Sequence, residues 1–176
     1  MLFRSVAPDD HCAPGYDCPD FRPELVGDAK VALTSQAPHS IDHRLICARR
    51  GALELKAGSI VNLGIGIPAG IAAVAQVEGI ADDITLSVES GPLGGIPVSG
   101  VGFGASVNPQ AMYTMANNFD FYDGGGLDIA FLGAAEIDKN GNVNVSQFNG
   151  RVIGPGGFIN ISQSTRNVCF MGTFTA

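Results

Sequence analysis

Lysine and arginine are missing from a long central stretch: none occurs between Lys56 and Lys139, while nine Asp or Glu fall in that interval. An anionic ligand bound there has to be held by backbone amides or by charges brought from elsewhere. Over the whole chain 17 acidic residues stand against 10 basic ones, a net charge of −7. The basic footprint of a nucleic-acid binder is therefore lacking, and no nucleic-acid partner is expected. Charged residues make up only 15% and apolar residues 45%, so part of the surface is expected to be covered by a partner or a second domain. No apolar run approaches a bilayer span, and no transmembrane helix is expected. The opening MLFRSVAPDD lacks the apolar centre of a signal peptide, which makes the cytoplasm the expected location.

Histidine is absent beyond His43: the three are His11, His39 and His43. That excludes a Ser-His-Asp or Cys-His site built wholly within residues 58–176. Cysteine is sparse, at Cys12, Cys18, Cys47 and Cys169. His11, Cys12 and Cys18 lie close together but lack a second ligand pair at zinc spacing, so no metal is expected and the early thiols read as free. Cys47 and Cys169 sit in apolar stretches and read as small core residues.

At 176 residues the chain fits one domain with a substantial core. Residues 1–40 read as an irregular segment and linker: Ala7 to Pro23 holds four prolines and no sustained period, Val31 to Leu33 suits a short strand, and Gln36 to Ser40 reads as linker. From residue 41 the pattern sharpens. Ile41, Leu45, Ile46, Ala48, Ala52, Leu53 and Leu55 follow helical spacing ended by Gly58, with Arg44, Arg49 and Arg50 on the wetter side. Ser59 to Leu63 is a strand entering the turn Gly64-Ile65-Gly66, and Pro68 suits the first turn of a helix through Ala75. Ile84 to Glu89 and Asp128 to Gly133 are buried-strand candidates, Pro109 to Asn117 suits a helix, and NVCFMGTF is a last strand. Strands alternating with helical segments predict an α/β domain of three layers on a mostly parallel sheet.

Four glycine-rich places can carry chemistry or only turns. The Gly64–Gly66 turn fits tight strand-to-helix packing or a ligand cradle, and without a Walker lysine or a full dinucleotide fingerprint it does not choose. Glu89 ends an apolar strand, where open α/β sheets present active-site groups. SGPLGG follows it, leaving almost no side chains beside the carboxylate; a strand-end Glu pointing to water is the plain alternative. RVIGPGGFINIS offers Gly154, Gly156 and Gly157, whose consecutive amides suit an oxyanion or an ordinary loop. FDFYDGGGLD gathers Asp120, Asp123 and Asp128 without EF-hand spacing and reads as a structural turn.

In order, VNLGIGIP (61–68), VESGPLGG (88–95), FDFYDGGGLD (119–128), LGAAEID-x-x-GNVNVS (132–146), GPGGFINIS (154–162) and MGTFTA (171–176) resemble the class I coenzyme A transferases, in particular the acetate/propionate and short-chain acyl type. The ARR at 48–50 also fits. The resemblance implies a CoA transferase-like catalytic-glutamate domain over residues 41–176, ending short of the family's C-terminus and matching only the second of the family's two halves. It implies Glu89 as nucleophile, forming an acyl–glutamyl anhydride and then a glutamyl-CoA thioester that is passed to a second carboxylate. Gly156 and Gly157 become oxyanion donors, Gly64 and Gly66 the floor of the site, and Gly91, Gly94 and Gly95 the backbone along which the pantetheine arm lies. Coenzyme A enters as a substrate, with acyl-CoA and short-chain carboxylates as ligands. A homo-oligomer or a missing first-half subunit is the expected partner, and little or no turnover is expected from the chain alone. An acyl-CoA hydrolase on the same scaffold and a catalytically silent assembly module are the competing readings.

Overall fold

The computed structural model describes residues 22–33, 41–98 and 102–173. The expectations for residues 1–21 and 34–40, including the His11/Cys12/Cys18 group and the linker, lie outside the described residues. Among the described residues four α-helices and twelve short strands follow in chain order. The helices are α1 (His43–Ala52), α2 (Gly70–Val77), α3 (Met115–Asp123) and α4 (Phe158–Ser164). The strands are β1 (Ile60–Leu63), β2 (Thr85–Ser87), β3 (Pro92–Leu93), β4 (Ile96–Pro97), β5 (Ser106–Val107), β6 (Ala111–Met112), β7 (Ile129–Leu132), β8 (Glu136–Ile137), β9 (Val143–Asn144), β10 (Gln147–Phe148), β11 (Arg151–Val152) and β12 (Asn167–Phe170).

One sheet organises the domain, in the order β12-β7-β1-β2-β3-β6. The pairs β12–β7, β7–β1 and β1–β2 are parallel, while β2–β3 and β3–β6 are antiparallel. Alternation along the strands sorts the side chains onto two faces. Val61, Leu63, Leu86, Ile129 and Phe131 pack with Ala48 and Ala52 of α1 and Ile71, Ala72, Val74 and Ala75 of α2. Ile60, Ala130, Leu132 and Val168 turn to the other face, against Tyr122 of α3 and Ile161 of α4. The result is the three-layer α/β arrangement the pattern predicted. Among the described residues no helix is long and apolar enough to cross a membrane.

Several boundaries differ from the sequence reading. Helix α1 begins where the Asp42 side chain accepts from the Leu45 amide at 2.8 Å and stops at Ala52, well before Gly58. Ile41, Ile46 and Leu53 lie exposed, so the apolar spacing overstated the buried face. Pro68 precedes α2 in a turn rather than opening it. The helix expected over Pro109 to Asn117 is instead strand and then helix. Gln110 donates to the Leu93 carbonyl and Tyr113 to the Gly91 carbonyl, drawing β6 onto the sheet. Only after the Thr114 hydroxyl caps the Asn117 amide does α3 begin. Val31 to Leu33 forms no strand; the Asn108 carboxamide pairs with both the amide and the carbonyl of Val31 and replaces a strand partner. Cys47 and Cys169 are half-buried, and Cys169 packs against the edge of the core.

The turn after β8 has a built-in acid response. Asp138 accepts from the amides of Asn140 and Asn142 and from the Asn142 side chain. These bonds, the Asn142 side chain's first, hold its carboxyl below the ordinary aspartate range. Because the folded value is the depressed one, the support is present above the ordinary range and is lost as pH falls through the folded value. The amide resonances of Asn140 and Asn142 are expected to lose their downfield shifts in acid at a lower pH than an unconstrained aspartate would titrate.

Candidate active site

At the C-terminal ends of the parallel strands the backbone turns through glycine. In the β1–β2 register Asn62 stands opposite Ser87, so two residues further on Gly64 and Glu89 come level with each other. The Gly64 amide donates to the Phe131 carbonyl at 2.8 Å, and a Cβ there would crowd that same oxygen at 3.0 Å. Gly64 is thus fixed to β7 by close packing. Around Gly66, by contrast, the space beyond the backbone is open.

Glu89 occupies the tip of a four-residue turn. The Gly91 amide donates to the Val88 carbonyl at 2.9 Å, and the Val88 amide donates to the Pro92 carbonyl at 3.0 Å beneath it. Glu89 is half-buried. Among the described residues no hydrogen bond or ion pair engages its carboxylate: the two ion pairs present are Arg22–Glu24 and Arg50–Glu54. Its neighbour Ser90 donates its hydroxyl to the Gly104 carbonyl, fastening the turn to the loop that follows β4.

Beneath this turn lies a buried polar cluster that composition and spacing did not single out. Asn62, Ser87, Asn118 and Tyr122 are each no more than 1% exposed. Ser87 Oγ and Tyr122 Oη lie 2.7 Å apart, and Asn118 Nδ2 donates to Tyr122 Oη at 3.2 Å. Asn62 Nδ2 reaches the Ser87 carbonyl at 3.2 Å, and Asn118 Nδ2 reaches the Val88 carbonyl at 2.8 Å. Burial pushes the Tyr122 phenol above the ordinary tyrosine range; the negative charge of Glu89 acts in the same direction, and the hydrogen bonds with Ser87, Asn62 and Asn118 oppose it. The sequence signal was available: Asn62 interrupts an otherwise apolar strand, and a polar residue there has to find buried partners.

The other candidate glycines fall into two groups. A Cβ at Gly91 would collide with the Tyr113 carbonyl oxygen, one at Gly95 with the Val107 carbonyl oxygen, and one at Gly94 would stand 2.7 Å from Gln110 Cγ. These three lie against the chain's own β5–β6 segment. Gly156 has open space around it, and neither its amide nor that of Gly157 donates to a protein acceptor among the described residues. A Cβ at Gly157 would meet the Phe119 ring at 3.1 Å, next along α3 from the Asn118 that holds Val88. Helix α3 therefore links the Glu89 turn with the Gly154–Gly157 loop.

Asp120, Asp123 and Asp128 do not converge: Asp123 accepts from Asn160, and Asp128 accepts from the Ile60 amide and ties α3's exit to β1. A separate groove of about 700 Å³, between α1 and β12, is lined by Ile46, Cys47, Glu54, Ala134, Cys169 and Met171 among others. Glu89 is not part of it.

Comparison with known proteins places the chain in a family. Residues 45–160 match the family model described as Coenzyme A transferase. The chain is 46% identical over 152 residues to the acetate CoA-transferase YdiF of Escherichia coli, covering 86% of this chain and 29% of that protein. It is 44% identical over 161 residues to the caffeate CoA-transferase of Acetobacterium woodii, covering 89% of this chain and 31% of that protein. The crystal structure of the Escherichia coli acyl-CoA transferase YdiF as a thioester complex with CoA superimposes with a TM-score of 0.73 at 43% identity, over 85% of this chain and 28% of the other. The chain spans less than a third of the length of these relatives.

Proposed function

The chain belongs to the coenzyme A transferase family, and on that premise we propose that it carries the nucleophile for CoA transfer between short-chain carboxylic acids, with Glu89 as that nucleophile. The observation that carries the reading is the Glu89 carboxylate itself, held at the tip of a turn at the C-terminal end of β2 with no ion pair or hydrogen bond to neutralise it among the described residues. A Glu89 Oε attacks the thioester carbonyl and expels the CoA thiolate, leaving an acyl–glutamyl anhydride. The thiolate attacks the glutamyl carbonyl, forming the glutamyl-CoA thioester and releasing the first acid. A second carboxylate attacks that thioester, and the thiolate then attacks the new acyl carbonyl, which frees acyl-CoA and regenerates the Glu89 carboxylate. Each addition generates an oxyanion. The amides of Gly156 and Gly157, which donate to no protein acceptor among the described residues, are the proposed donors, and losing one such donor typically costs about a hundredfold in rate. Gly64 and Gly66 form the floor beside Glu89, and Gly91, Gly94 and Gly95, packed against the chain's own β5–β6 segment, shape the turn beside which the pantetheine arm is proposed to run. That a similar transferase is described as a thioester complex with CoA supports the covalent route.

The site also has an uncovered side. Ile65, between the two floor glycines, is 69% exposed, and Val152 and Ile153, leading into the second loop, are 79% and 72% exposed. Large apolar side chains bare on both rims are a surface for another protein unit. The proposed partner is a complementary half that completes the CoA and acid pockets, so multiple turnover needs that half.

The test is a two-step mass measurement on the chain, alone and with the complementary half of a similar transferase. Acetyl-CoA is expected to add one CoA to the protein, and propionate is then expected to remove it as propionyl-CoA. Release of free CoA at the same rate with and without propionate would establish a hydrolase instead. No adduct under either condition would leave the silent-module reading.

A further inference from the structure

We infer that Asn118 is a positioning residue for Glu89, its buried carboxamide fixing the plane of the Val88–Glu89 peptide and so the direction in which the nucleophile leaves the turn. The inference rests on Glu89 being the nucleophile; the geometry behind it does not.

The Val88 carbonyl already has a partner. The Gly91 amide donates to it at 2.9 Å and closes the turn, which satisfies the obligation of a buried carbonyl to find a donor. Asn118 Nδ2 adds a second donor at 2.8 Å. With both lone-pair directions used, the peptide plane between Val88 and Glu89 has lost its freedom to rock. The orientation of the carboxamide is settled as well, since only its nitrogen can donate to a carbonyl. The same nitrogen donates to Tyr122 Oη one turn along the helix, and that hydroxyl is shared with Ser87 Oγ at 2.7 Å.

The arrangement is not what folding alone favours. Among the described residues Asn118 Oδ1 is buried with no protein hydrogen-bond partner, and so is Asn62 Oδ1. A buried acceptor without a donor opposes stability, and such groups concentrate where a structure serves chemistry. Asn118 could fill its space as an apolar residue; as asparagine it holds one carbonyl that needs no further holding, immediately before Glu89. The same short segment also grips the far side of the turn, where the Tyr113 amide donates to the Gly91 carbonyl at 2.9 Å. Glu89 is thus clamped from both ends by residues 113–118. Misplacing a reacting group by about an ångström typically costs on the order of a hundredfold in rate.

Asn118→Leu tests this, because it removes the donors and the orphaned oxygen together while keeping the branched shape and heavy-atom count of the side chain. Three quantities are read on the full chain: melting temperature, amide exchange at residues 88–91, and the rate of CoA adduct formation at saturating acetyl-CoA, in whichever condition gives the wild-type adduct. The expected result is a melting temperature within about 5 °C of the wild type's, exchange of the hydrogen-bonded Val88 and Gly91 amides faster by roughly fivefold to tenfold, and an adduct rate lower by roughly tenfold to a hundredfold. The acetyl-CoA concentration at half-saturation is expected to stay within about twofold, since the clamp acts on kcat and not on binding. Unchanged exchange and an unchanged adduct rate in folded Asn118→Leu overturn the inference. So does a fall in melting temperature with exchange raised across the whole sheet, which marks a structural role. If the wild type forms no adduct, it is the proposed function that fails, and the exchange result alone decides the clamp. Should Asn118→Leu not fold, Asn118→Ser is read the same way.

Discussion

Glu89→Gln is expected to abolish covalent capture of CoA, lowering the rate of adduct formation at least about a thousandfold while leaving the fold intact. The two halves of that result have different physical causes. Glutamine keeps the size and hydrogen-bonding capacity of the side chain but has no anionic oxygen to attack a thioester. Stability is spared because the Glu89 carboxylate engages no hydrogen bond or ion pair among the described residues. The melting temperature is therefore expected to move by no more than about 2 °C, the range of a substitution with no partner to lose. A third readout follows from the charge. The Glu89 carboxylate contributes to holding the Tyr122 phenol above its ordinary range, so neutralising it moves the Tyr122 titration to lower pH. Ring resonances of Tyr122 report that shift directly. A Glu89→Gln chain that still captures CoA at the wild-type rate would remove Glu89 from the chemistry.

The second large effect concerns stability. Gly91→Ala places a Cβ on the Tyr113 carbonyl oxygen, at a residue whose φ is +135°. Backbone meets backbone there, so no flexible side chain can swing aside. Steric overlap and an unfavourable dihedral add, and a loss of roughly 4 kcal/mol or more is expected, a drop of about 10 °C or more in melting temperature. Gly66→Ala is the control. Its φ is +87°, but the space beyond it is open, so only the dihedral cost of about 1–2 kcal/mol applies. Urea denaturation of the two variants separates the cases: equal midpoints would show that the turn after Glu89 tolerates a side chain and is not the rigid support described here.

How much of this was legible in the sequence depends on the range over which each determinant acts. Ile129 to Leu132 could be read as a strand because its apolar character is continuous and both faces are buried, and Ile60 to Leu63 because Asn62 alone breaks an apolar run. Glu89 stood out because an apolar strand ends on it and glycine follows. The segment 109–117 could not be read locally. Ala111 and Met112 carry no strong strand preference, and they extend because Gly91 and Leu93, nearly twenty residues away, present backbone partners. The missing strand at Val31 has the same origin, a distant Asn108 side chain serving in place of a neighbouring strand. For α1, helical spacing was real but burial was not: Ile46 and Leu53 follow the period and still face outward. In the site, the glycine loops were visible as motifs, but the residues that orient them were not. Asn118 lies just before FDFYDGGGLD and Tyr122 within it, a stretch whose aspartates drew attention while the buried hydrogen bonds beneath the Glu89 turn come from this asparagine and tyrosine. Their importance arises from burial against Ser87 and Val88, a relation between segments some thirty residues apart.

The central claim is that the Glu89 carboxylate itself passes through a covalent bond to the acyl group and to CoA. It is tested most directly by supplying acetate labelled with heavy oxygen in both carboxylate positions, together with propionyl-CoA and the complementary half, and mapping the label by peptide mass spectrometry. The account expects heavy oxygen to accumulate in the Glu89 side chain, because the bridging oxygen of each acyl–glutamyl anhydride remains on the glutamate when the thiolate takes the acyl group. Production of acetyl-CoA with no label at Glu89, or with label or CoA attached at another residue, would contradict it.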